Sequence, residues 1–63
     1  MTTDEAIKHY GTQQKVADAL GIRQGSVGGW GEYPPVLRQL QLQRITNGRL
    51  KAEPGILAVI KAA

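Results

Sequence analysis

The chain has no cysteine, a single histidine and only five acidic residues among 63. The first absence excludes disulfides and thiolate metal sites. His9 alone cannot build a zinc site, and five scattered acids offer few oxygen ligands, so no metal or other cofactor is expected. No nucleophile stands in a recognisable pattern with a base, which argues against an enzyme and against a small-molecule ligand. No apolar run reaches the length of a membrane span, and the N-terminus lacks the basic-then-apolar pattern of a signal peptide. The expectation is therefore no membrane partner and a cytoplasmic location.

What is present fits one small domain over residues 1–63. Hydrophobic residues make up 41% of the chain, and several of them are alanines. A chain this short buries only about 60% of its unfolded surface. With disulfides and metals excluded, oligomerisation or ligand binding is the available staple. Charge is uneven: residues 1–22 carry a net −1 and residues 23–63 a net +4, giving the overall +3. A basic excess confined to one part of a chain suits a surface that meets phosphate.

Glycine and proline divide the sequence into about five short helices. Thr2 and Glu5 have the spacing of a capping box, and Ala6, Ile7 and Tyr10 share one face. Gly11 stops that helix. Thr12 caps a second one from Gln13 to Leu20, with Val16, Ala17 and Leu20 inward and Gln14, Lys15 and Asp18 outward. Gly21 ends it with positive φ, where a Cβ would clash.

Residues 24–30 contain Gly25, Gly28 and Gly29, which cost a helix about 1 kcal/mol each relative to alanine. At 100° per residue, however, Val27 and Trp30 lie on one face and the glycines on the opposite one. The spacing predicts a short helix over 24–30 with two apolar anchors and a stripped outer face. Farther on, Pro35 suits a first helical turn, and Val36, Leu37, Leu40 and Ile45 form a stripe through about Thr46. Asn47-Gly48 can end that helix. It is equally the strongest two-residue hairpin signal, and Leu40 to Gln43 alternates with period two. The expectation is all-α, the alternative an α+β domain with a C-terminal β-hairpin around Asn47-Gly48. The run Ile56 to Ile60 is a last helix or a strand.

Val16, Ala17, Leu20, Gly21, Val27 and Trp30 together have the pattern of a helix-turn-helix. Ala17 is small where two helices cross, Gly21 makes the turn, and Val27 and Trp30 hold the second helix to the core so that its N-terminal residues reach the major groove. Tyr10 to Ile22, followed by Ser26-Val27 and Trp30, then Pro35 and Ile45 to Lys51, resemble the Cro repressors of lambdoid phages, closest to the all-helical members. The resemblance covers residues 1 to about 52. It implies a homodimeric repressor of palindromic operator DNA in a phage or prophage switch, within a bacterial host cell. Some members replace the C-terminal helices by a β-hairpin.

The motif places Thr12, Gln13 and Gln14 at a helix N-terminus that faces phosphate. Arg23 and Gln24 enter the groove first. Arginine pairs with guanine and glutamine with adenine, and Ser26 reaches a base or a phosphate. Gly25, Gly28 and Gly29 stand where family members carry polar or small side chains. They either let the backbone approach the groove closely or mark a reader of modest specificity. The second possibility extends to a protein-interaction module that kept the fold and lost base reading. A weak homodimer is expected through Leu42, Leu50, Ile56, Leu57, Val59 and Ile60, which exceed what so small a core can bury.

Overall fold

The computed structural model describes residues 1–55. Four helices follow one another: α1 (Thr3–Tyr10), α2 (Gln13–Leu20), α3 (Gln24–Gly28) and α4 (Val36–Ile45). No strand occurs among the described residues, so the hairpin alternative does not hold around Asn47-Gly48. A fifth helix is expected beyond Pro54; Pro54 and Gly55 are helical, and the rest of that expectation lies outside the described residues.

The first two helices begin and end where local chemistry dictates. Thr2 caps α1, with Glu5 N–H donating to Thr2 Oγ1 at 3.1 Å and Thr2 N–H donating to Glu5 Oε1 at 3.0 Å. Asp4 and Glu5 sit in the first turn and Lys8 and His9 in the last, matching the helix dipole at both ends. Thr12 caps α2, its Oγ1 accepting from Lys15 N–H at 3.1 Å. Gly11 and Gly21 close the two helices at φ +106° and +68°, values that a side chain would make strained.

The third helix is shorter than the 24–30 expected. It ends at Gly28, and the Gly29 N–H still turns back to Gly25 and Ser26 carbonyls before the chain reverses at Gly31, φ +74°. With no side chain at three of six positions, little packing sustains a further turn. The anchors behave as the periodicity requires: Val27 is buried, and Trp30 packs part-buried against the core. That core gathers Met1, Ala6, Val16, Ala17, Val27, Leu42 and Leu50, with Ile7, Tyr10, Leu20 and Ile22 around it.

The fourth helix lies on the core in a phase its apolar residues do not announce. Its buried members are Gln39 and Leu42, whereas Val36, Leu37 and Ile45 are 41, 61 and 48% exposed. The expected inward stripe of Val36, Leu37, Leu40 and Ile45 is therefore corrected: only Leu40, half-buried, comes near it. Polar side chains on the inner face instead hold the chain that follows. Thr46 Oγ1 accepts from Leu50 N–H at 3.1 Å, Gln43 Oε1 from Ala52 N–H at 2.7 Å, and Gln39 Oε1 from Glu53 N–H at 3.1 Å. Gln39 Nε2 donates to the Pro34 carbonyl at 2.9 Å, which makes this buried amide a brace between both ends of the segment. These bonds place Leu50 and Ala52 inside.

Two residues expected at a dimer surface are thereby removed from it. Leu42 has no exposed surface and Leu50 is 6% exposed, both in the core of a single chain. Ile56, Leu57, Val59 and Ile60 lie outside the described residues.

Candidate nucleic-acid interface

Helices α2 and α3 pack through Val16, Ala17 and Val27, with Gly21 in the left-handed conformation between them. Ile22 N–H donates to the Ala17 carbonyl at 3.0 Å, which fixes the exit from α2. Arg23 then stands as the extended N-cap of α3 and makes no capping hydrogen bond. The outer face of α3 is left to solvent: Arg23, Gln24, Gly25, Ser26, Gly28 and Gly29 are all exposed. So are Thr12 and Gln14 at the start of α2, while Gln13 is half-buried.

Gln13 is half-buried because it reaches α3. Gln24 Nε2 donates to Gln13 Oε1 at 3.2 Å, so the first side chains of the two helices are bonded across the turn. A methyl group at Gly28 would meet the same Gln13 Oε1 at 3.6 Å, an ordinary contact. The structure thus gathers Gln13, Gln24 and Gly28 at one place. Gln14 has a partner of its own, donating from Nε2 to Asp18 Oδ1 at 2.8 Å along α2. Thr12 uses a lone pair for capping and keeps its hydroxyl proton to donate. Nothing in the spacing of Gln13 and Gln24, eleven residues apart, announces their bond. Only the crossing of the two helices creates it.

The glycines of α3 occupy open space. A Cβ at Gly25 meets nothing within 4 Å, and at Gly29 only carbonyl oxygens of its own turn at 3.6 and 3.7 Å. None of the three has positive φ. No intramolecular clash therefore demands glycine at 25, 28 or 29, and the bare surface is a property of what α3 presents outward.

Among the described residues no cluster of His, Cys, Asp and Glu is arranged to hold a metal. Nor is any helix there long and apolar enough to cross a membrane. The basic residues Arg38 and Arg44 lie on α4; the guanidinium of Arg38 donates to Gln41 Oε1 at 2.8 Å.

Two helices crossing at a small residue, joined by a left-handed glycine, with the second helix exposed along one face, define a helix-turn-helix protein of the DNA-binding class. The family model described as the DNA-binding transcriptional regulator Cro matches residues 2–61. The chain belongs to this Cro family, whose members are transcriptional regulators and not enzymes. The regulatory protein cro of Salmonella phage P22 is 41% identical over 51 residues, covering 81% of this chain and 84% of that protein. The regulatory protein cro of Pseudomonas phage D3 is 38% identical over 60 residues, covering 84 and 80%. The repressor protein of division inhibition gene dicB of Escherichia coli K12 is 33% identical over 57 residues, covering 89 and 75%. No solved structure matches the chain.

Proposed function

We propose that this Cro-family regulator is a sequence-specific repressor of double-stranded operator DNA, with α3 in the major groove. The observation that carries this reading is the Gln24–Gln13 hydrogen bond at the exposed start of α3. A free glutamine samples many rotamers, and fixing one in advance removes an entropy cost of binding. Gln24 spends one N–H on Gln13. Its other N–H and its carbonyl oxygen remain, the pair that adenine N7 and N6 require. Gln13 spends a carbonyl lone pair and keeps two N–H donors for a phosphate. One side chain then reads a base while its neighbour fixes the register on the backbone. Arg23, immediately before α3, supplies a guanidinium for guanine. Thr12 and Gln14 donate to phosphate from the start of α2, and Ser26 reaches a base or phosphate.

With Gly25, Gly28 and Gly29 lacking side chains, base readout concentrates on Arg23 and Gln24. The remaining discrimination comes from DNA shape and from close approach of the α3 backbone. Repression is steric: a protein on an operator that overlaps a promoter blocks the polymerase. A weak homodimer on a palindromic site matches the geometry of this class, in which two recognition helices lie one DNA turn apart. Among the described residues the exposed large apolar side chains that could form it are Val36, Leu37 and Ile45 on α4, with Tyr33 just before it.

A gel shift with competitor DNA and a salt titration tests the reading. A specific complex that survives random competitor and weakens with salt is the expected result. Absence of any salt-dependent DNA affinity would overturn it, and would favour a protein-interaction module instead.

A further inference from the structure

A polar recess of about 330 Å³ opens where α1 and α4 end, lined by His9, Tyr10, Ile45, Thr46, Asn47 and Arg49. We propose that it receives a backbone phosphate of the bound DNA, next to the phosphates met by the start of α2, with Arg49 as the main contact. The inference rests on the DNA reading, and it adds a residue that lies outside the helix-turn-helix.

The recess has the chemistry of an anion site. His9, Asn47 and Arg49 are exposed. Arg49 brings a permanent positive charge, the Asn47 amide two N–H donors, and the His9 imidazole at least one N–H in either protonation state. The His9 ring is set edge-on against Tyr10, with centroids 5.1 Å apart, which restrains its orientation. No carboxylate lines the recess. Among the described residues the one ion pair joins Glu53 to the Met1 amine, so Arg49 has no acid partner there. The ends of α1 and α4 oppose an anion, each carrying roughly half a negative charge. Lys8 and His9 in the last turn of α1 and Arg44 in the last turn of α4 already offset those ends. The charge of Arg49 is surplus to them.

Placement ties the recess to the DNA-facing side. Tyr10, in its wall, stands two residues before Thr12, the N-cap of α2, and two residues of chain span at most about 7 Å. Gly11 lies between them, and Lys15 rests against it: its Cδ and Nζ are both 3.9 Å from where a Cβ on Gly11 would stand. A continuous surface of cations and hydrogen-bond donors therefore runs from Thr12 across Lys15 to Arg49. A strand whose phosphate meets the start of α2 carries further phosphates at regular intervals on either side. This surface receives the neighbouring one.

The test compares three full-length variants that each remove one positive charge: Arg49→Gln, Lys15→Gln and Lys51→Gln. Lys51 is the control, because its carbonyl accepts from the Met1 amine and so lies at the opposite end of α1. Salt titrations on a selected operator and on random DNA give the slope of log affinity against log salt. Arg49→Gln and Lys15→Gln should each reduce that slope by about one, which is about fourfold less weakening between 50 and 200 mM salt. Both should weaken operator and random DNA by the same factor, and Arg49→Lys should restore the slope. Lys51→Gln should leave it near the wild-type value. A slope unchanged in Arg49→Gln, or reduced equally in Lys51→Gln, would overturn the proposal while the wild-type slope keeps the DNA reading intact. A wild-type protein with no salt-dependent affinity would overturn both.

Discussion

Gln24 Nε2 donates to Gln13 Oε1 at 3.2 Å, so the side chain that opens the recognition helix is held by the one that opens the helix before it. The bond joins the position proposed to read a base to the one proposed to face phosphate. Replacing Gln24 by alanine should relax discrimination at one base pair by about 1–3 kcal/mol, the range for a bidentate base contact. Gln13→Ala should reproduce part of that loss, because Gln24 without its brace reads less well, and the double mutant should lose less than the sum of the two. Affinities for a selected operator and for single-base variants measure both. Strict additivity of the two substitutions would show that the bond has no part in binding.

Arg23 offers a separate check. If it pairs with guanine, Arg23→Ala lowers affinity for the selected operator far more than for random DNA. If it meets phosphate, the loss is uniform across sequences, and the slope of log affinity against log salt falls by about one. The account predicts the first pattern.

Gly28→Ala should stabilise the protein by up to about 1 kcal/mol, through helix propensity and a less flexible unfolded chain. The site is exposed, its φ is not positive, and the new methyl meets Gln13 Oε1 at 3.6 Å. Thermal melting of the free protein gives the answer. A lower Tm would mean that the methyl disturbs Gln13 and the turn.

The face of α4 is testable by a contrast. Leu42→Ala should cost about 2–5 kcal/mol, as for a buried leucine. Gln39→Ala should cost about 1–3 kcal/mol, because the Pro34 carbonyl and the Glu53 N–H lose their partner. Leu37→Ser should change stability by less than about 0.5 kcal/mol, the usual range for a surface site. Urea denaturation of the three variants ranks them, and a costly Leu37→Ser with a harmless Gln39→Ala would reverse the helix.

Acid should weaken the cap of α1 in a defined direction. The Thr2 backbone N–H, and then the Thr2 side chain, hold the Glu5 carboxyl below its ordinary value. A carboxyl depressed on folding stabilises fully above its unfolded pKa, and that stabilisation is lost as pH falls through the folded value. Wild type should therefore exceed Glu5→Gln in Tm near neutrality, and the gap should close in acid. A gap that persists below the folded pKa would assign the effect to something other than the Glu5 charge.

These variants also divide what the sequence discloses from what it conceals. The bounds of α1 and α2 are legible because Thr2, Thr12, Gly11 and Gly21 act within a turn of themselves. The inward set Val16, Ala17 and Val27 is legible because both helices bury an apolar face. On α4 the same logic misleads. Its apolar residues point largely outward, and the buried Gln39 and Thr46 find partners in Pro34 before the helix and in Leu50 and Glu53 after it. Periodicity carries no information about such partners.

Asn47-Gly48 shows a subtler case. Both residues have positive φ, +54° and +83°, and Arg49 N–H donates to the Thr46 carbonyl across them at 3.2 Å. That sign pattern is the one a two-residue hairpin turn requires. The dipeptide thus adopts the backbone its hairpin preference implies, and the flanks decide the fold. On one side stands a helix; on the other, amides bonded to that helix's own side chains. For the proposed DNA contacts, residue types and spacing supply a list, while the pairing of Gln13 with Gln24 emerges only when the helices cross.

Operator selection from a random double-stranded DNA library, followed by competition in a salt titration, tests the central claim most directly. The account predicts an enriched inverted repeat whose half-sites carry adenine and guanine positions that Gln24→Ala and Arg23→Ala respectively relax. Failure to enrich any sequence, with binding to random DNA equal to binding to the selected pool at every salt concentration, would contradict it.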